Sequence, residues 1–87
     1  MDINTIPKRI DTSEKITLSD GLILHQKKMI HTLNATGAEI FELCDGERSV
    51  QNIINEMASR YPDGVTDALI IDYINQLHES KLVELIQ

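Results

Sequence analysis

The chain has 87 residues, 41% apolar and 25% charged, with a formal net charge of −6. That length holds one small domain, which buries roughly 60% of the surface its unfolded chain exposes, and the composition is that of an ordinary globule. A single cysteine excludes an internal disulfide. No apolar run approaches the roughly 20 residues of a membrane helix, and the first residues lack a signal peptide's basic-then-apolar layout, so a cytoplasmic chain with no membrane partner is expected.

Residues 1–14 are polar, contain Pro7 and show no sustained period. They read as an N-terminal arm, with the domain proper over 15–87. Ile16-Thr17-Leu18 alternates as a short strand, and Ser19-Asp20-Gly21 is turn chemistry. Leu22 to His25 resumes as a strand, Gln26-Lys27-Lys28 turns again, and Met29 to Leu33 forms a third strand. Met29, His31 and Leu33 share one face of it, Ile30 and Thr32 the other. Tight connections between the three imply an antiparallel meander.

After Asn34, Thr36 followed by Glu39 reads as a capping box at the start of a first helix. Ile40, Leu43 and Cys44 recur at helical spacing, and Asp45-Gly46 stops the helix. Ser49 is the expected cap of a second helix, whose stripe is Val50, Ile53, Ile54, Met57, Ala58 and Tyr61. Pro62-Asp63-Gly64 ends it. A third helix is predicted from about Val65 to Ser80, with Ile70, Tyr73, Ile74 and Leu77 at the centre of its apolar face. Leu69 and Gln76 lie on one shoulder of that face, Ile71 and His78 on the other. Residues 81–87 have mixed strand and helix character. The class is therefore α+β: a three-stranded antiparallel meander followed by a three-helix bundle, the layout of a winged helix-turn-helix.

No nucleophile pair, glycine-rich phosphate loop or metal-ligand spacing is present, so no catalytic residue, cofactor or metal is expected. Cys44 on the apolar side of a helix end is a small core residue. A winged helix-turn-helix invites a DNA-binding reading, which is the alternative here. Against it, residues 32–87 carry ten acidic and three basic residues, and the third helix bears Asp67, Asp72 and Glu79 with no cation before Lys81. Such a helix is repelled by phosphates, so no nucleic-acid partner is expected. A third reading is a structural subunit whose groove is filled by another copy of itself. The remaining option is peptide recognition: an edge strand beside the last helix makes a groove to which an extended peptide adds a strand.

The chain over residues 15–85 resembles the PqqD-like family, the precursor-peptide recognition elements of ribosomal peptide biosynthesis. The resemblance rests on Leu33-Asn34, Gly37-Ala38-Glu39-Ile40, Leu43-Cys44-Asp45-Gly46, Ser49-Val50-Gln51-Asn52-Ile53, Arg60-Tyr61-Pro62 and the spacing Tyr73-Ile74, Leu77, Leu82-Val83. It implies a winged helix-turn-helix used without DNA. The implied function is a non-enzymatic adaptor that binds a precursor's leader peptide as an added strand. The implied partner is a modifying enzyme: a radical SAM protein, a cyclase or a leader peptidase. Carried onto this chain, Met29, Ile30, His31, Thr32 and Leu33 form one side of the site. Leu69, Tyr73 and Gln76 form the other, with the Ile71 shoulder an open alternative. Many relatives have an acidic residue where this chain has Leu69.

Overall fold

The computed structural model describes residues 2–10, 14–26 and 29–86. In chain order the elements are β1 (Ile6–Arg9), β2 (Glu14–Leu18), β3 (Gly21–Gln26), β4 (Met29–Asn34), α1 (Ala35–Leu43), α2 (Val50–Arg60), α3 (Asp67–Glu79) and β5 (Val83–Ile86). The fold is α+β. The meander is an antiparallel sheet of order β2-β3-β4, and β1 pairs antiparallel with β5 in a separate two-stranded sheet. No helix among the described residues is long and apolar enough to cross a membrane.

Alternation decides which side of the meander is inside. Leu22 and Leu24 on β3 are buried. Across them in register lie Thr17 and Lys15 on β2, and Leu33 and His31 on β4. These residues therefore point toward the helices, and Ile16, Ile23, Ile30 and Thr32 point away. The helices supply the rest of the core: Ile40, Phe41 and Leu43 from α1, Val50, Ile53, Ile54 and Met57 from α2, and Ile70, Ile74 and Leu77 from α3. Leu82 and Val83 close it.

The first helix is capped differently from the sequence expectation. Asn34, not Thr36, is the N-cap: its side chain accepts from the Gly37 N–H at 2.8 Å. Glu39 does not reach back to the helix start. It accepts from Arg60 at the end of α2 and from the Tyr61 hydroxyl. An asparagine at the strand's last position caps as well as a threonine two residues later, and it lets the helix begin a residue after the strand ends. Ser49 and Asn52 do form a reciprocal capping box on α2, and Thr66 caps α3.

The N-terminal segment is woven into this frame. Thr5 and Ile3 carbonyls accept from the Val50 and Gln51 N–H groups, which an isolated helix leaves without partners. Arg9 donates to the Phe41 and Glu42 carbonyls at the end of α1, placing a cation where the helix dipole favours one. Its guanidinium also sits 5.9 Å from the Phe41 ring centroid. Within the segment of mixed character that follows α3, Val83–Ile86 become the partner strand of β1.

The turn from α3 into β5 is a Schellman motif. Leu82 N–H donates to Leu77 O, and Lys81 N–H donates to His78 O. Its left-handed position, φ 62°, is occupied by Lys81 and not by glycine. A side chain there costs roughly 1–2 kcal/mol in the folded state, partly offset by the greater unfolded-chain freedom of glycine. Lys81→Gly is expected to raise stability by about 0.5–1 kcal/mol in urea denaturation, since only the Lys81 carbonyl has a described tertiary bond, from Gln26.

Candidate peptide-binding site

The meander has two edges, and they are not alike. Ser19-Asp20 is a two-residue turn between Leu18 and Gly21, so Leu18 and Gly21 are bonded across it. Bonded and non-bonded pairs alternate from that point. Gly21, Ile23 and His25 therefore turn their backbone groups to β2, and Leu22, Leu24 and Gln26 turn theirs to β4. The partners of the latter set are Leu33, His31 and Met29. What remains on β4 is the N–H and C=O of Ile30 and of Thr32, aimed out of the sheet, followed by the N–H of Asn34 where the chain enters α1. On β2 the outward groups belong to Lys15 and Thr17.

The β2 edge is guarded. Lys15 forms an ion pair with Glu42 on α1 across that edge. Both side chains are half-exposed, so the pair adds little stability, but a charged lysine on an edge is a standard way to discourage strand pairing. A concavity of about 310 Å³ lies here, between the β2–β3 turn and α1, with Glu39, Glu42 and Arg60 on its rim. The β4 edge carries no such ion pair among the described residues. Met29, Ile30, His31, Thr32, Leu33 and Asn34 include no formally charged side chain, and Ile30 is 68% exposed.

Beyond the β4 edge stands α3, and between them runs a groove of about 460 Å³. Its β4 wall is Ile30, His31, Thr32, Leu33 and Asn34; its α3 wall is Tyr73, Gln76, Leu77 and Ser80, with Leu82 beyond. None of these residues carries a formal charge if histidine is neutral. Helix and strand run in opposite senses: Asn34, ending β4, bonds to Tyr73, while Gln26, opposite Met29, bonds to the Lys81 carbonyl after α3. From Tyr73 to Ser80 the helix rises about 10 Å, the length of roughly three extended residues.

Asn34 sets the closed end of the groove. Its Oδ1 caps α1 through Gly37 N–H, and its Nδ2 donates to the Tyr73 hydroxyl at 2.7 Å. The Tyr73 ring lies against Gly37, where an added Cβ would stand 3.0 Å from Cε1. One side chain thus joins β4, α1 and α3.

Six of the eight residues singled out in the sequence meet in this groove: Ile30, His31, Thr32, Leu33, Tyr73 and Gln76. Met29, 60% exposed, and Leu69, 38% exposed, are not in its lining. Ile71, the alternative shoulder, packs against the core. Asn34, Leu77, Ser80 and Leu82 also line the groove; Tyr73, Gln76, Leu77 and Ser80 form an i, i+3, i+4, i+7 stripe that helical spacing already carries. No cluster of potential metal ligands occurs among the described residues. Cys44 is fully buried, its thiol donates to the Ile40 carbonyl at 3.2 Å, and burial pushes its pKa up to about 12. It stays a protonated thiol at neutral pH, far from a nucleophile's state.

Comparison with known proteins gives three findings. A family described as coenzyme PQQ synthesis protein D (PqqD) matches residues 20–83. A protein of Rahnella aquatilis named PqqA binding protein is 40% identical over 53 residues, 59% of this chain and 55% of that protein, so the match spans about half of the relative's length. The structure of the heterocyclase TruD superposes on 94% of this chain and 12% of its own, with a TM-score of 0.71 and 14% identity. That last likeness is one of fold alone.

The geometry at Asn34 yields a stability test. Asn34→Ala removes both the cap and the Tyr73 contact, with an expected loss of about 1–3 kcal/mol in chemical denaturation. Asn34→Asp keeps the cap, and its second carboxylate oxygen can accept the Tyr73 hydroxyl proton, so this variant is expected to stay close to the parent chain in stability.

Proposed function

Because the chain belongs to the PqqD family, we propose that it is a non-enzymatic adaptor for a ribosomally made precursor peptide. It holds the precursor's leader as a fourth strand on β4, in the groove beside α3, and presents it to a separate modifying enzyme. That enzyme is a radical SAM protein, a cyclase or a leader peptidase. The meander acts as the wing of a winged helix-turn-helix, and α3 takes the place of the helix that reads DNA in such folds. Asp67, Asp72 and Glu79 on α3 disfavour a phosphate backbone, and the relative named for binding PqqA supports a peptide ligand.

The observation that carries this reading is the open, uncharged β4 edge facing α3. Ile30 and Thr32 offer two N–H and two C=O groups in the direction an added strand would approach. Each backbone bond formed there is worth about 0.5–1.5 kcal/mol net. Ordering a flexible leader costs roughly 2–5 kcal/mol or more, so side-chain anchors must supply the surplus. Leu33, Leu77 and Leu82 provide the apolar walls against which such anchors pack.

Proline substitution tests the site. Ile30→Pro and Thr32→Pro each delete one outward N–H and are tolerated at an edge. Each is expected to weaken binding of a peptide selected from a random display library on the parent chain by about threefold to tenfold, in fluorescence anisotropy. Thr17→Pro deletes an outward N–H on the guarded edge and is expected to leave affinity unchanged. Folded Ile30 and Thr32 variants that bind as tightly as the parent chain would remove the β4 edge from the site.

A further inference from the structure

A strand added to β4 creates a new problem, and the α3 wall of the groove holds its solution. Added antiparallel, such a strand bonds to Ile30 and Thr32 with alternate residues. The residue between, opposite His31, turns its own N–H and C=O away from β4 and toward α3. Beneath the helix those groups lose water, and a buried backbone group without a partner is unfavourable.

Hydrogen-bond polarity on α3 is fixed by a chain of constraints. The Gly37 N–H can only donate, so the Asn34 atom it meets is oxygen, and the other Asn34 atom is a nitrogen that donates to Tyr73. The Tyr73 oxygen is thereby an acceptor, and its own proton remains to be given. One turn further, Gln76 Nε2 donates to the Asp72 carboxylate at 3.0 Å, so Gln76 Oε1 remains to accept. Among the described residues neither the Tyr73 proton nor Gln76 Oε1 has a partner. Both residues line the same groove, three positions apart on one helix face.

Resting on the strand-addition reading above, we infer that Tyr73 and Gln76 form a second backbone clamp that holds the far edge of the bound peptide. The Tyr73 hydroxyl donates to a carbonyl of that edge, and Gln76 Oε1 accepts from an N–H. The peptide is then held by its main chain from both sides, β4 on one and α3 on the other. Recognition by Tyr73 and Gln76 is of an extended backbone, independent of the side chain carried at that position, and specificity is left to the neighbouring apolar walls. Asp72 and Asn34, which never touch the peptide, are positioning residues: each fixes which end of its partner faces the groove.

An amide-to-ester scan reads both edges, since an ester replaces one N–H by oxygen without adding bulk. The probe is a dodecapeptide selected from a random display library on the full chain and retained only if Thr32→Pro weakens it. In the parent chain, two positions two residues apart are expected to lose about threefold to tenfold on ester substitution, and the position between them a similar amount. In Gln76→Leu, an exposed substitution outside the core, the two flanking losses persist and the intervening one falls below about twofold. Tyr73→Phe also unpartners Asn34, so the Gln76 variant is the decisive one. Flanking losses with an intervening position that is insensitive, or equally sensitive in both proteins, overturn the clamp while leaving strand addition standing. A scan with no alternation at all removes strand addition and the clamp together.

Discussion

One carboxamide holds the working parts of this molecule in place. Asn34 ends β4, caps α1 with its oxygen and ties down α3 with its nitrogen. The groove exists because the strand and α3 are held apart at a fixed separation, and Asn34 is the described side chain that spans both walls. Gly37 completes the junction by leaving room for the Tyr73 ring where any Cβ would press upon it. A capped helix start, which by itself contributes only local stability, is here also the spacer of the groove between β4 and α3.

The charge distribution sorts the surface by task. The groove and the β4 edge carry no formal charge with neutral histidine, while acidic side chains sit on the outward faces of the helices and on the rim of the other concavity. A strand added to the sheet would therefore meet backbone groups and apolar walls on β4, and a lysine tied to a glutamate on β2. The asymmetry leaves the sheet one uncharged edge among the described residues. It also keeps the groove neutral, because the side chains that carry the net charge of −6 lie outside its lining.

Local periodicity carried the meander, the three helices and most of the groove wall, because each depends on residues a few positions apart. Helical spacing alone sets Tyr73 and Gln76 on neighbouring positions of the α3 wheel. What periodicity cannot carry is pairing across the whole chain: Ile6–Arg9 joins Val83–Ile86, and Pro7 inside the first of these reads locally as a break. Asn34 was visible as a turn residue, but its bond to Tyr73, 39 positions away, is a tertiary fact. The expected Thr36–Glu39 box failed for a similar reason. Glu39 has stronger partners in Arg60 and Tyr61, which only the packing of α1 on α2 brings near.

Strand addition at β4 depends on the outward amides of Ile30 and Thr32. Backbone amide hydrogen exchange, followed by NMR with and without a saturating leader or library-selected peptide, addresses them one by one. In the free protein, Ile30 and Thr32 are expected to exchange quickly while His31 and Leu33, bonded to β3, are protected. With peptide bound, Ile30 and Thr32 become protected as well. Saturated binding that leaves these two amides exchanging at their free rates would contradict strand addition at β4.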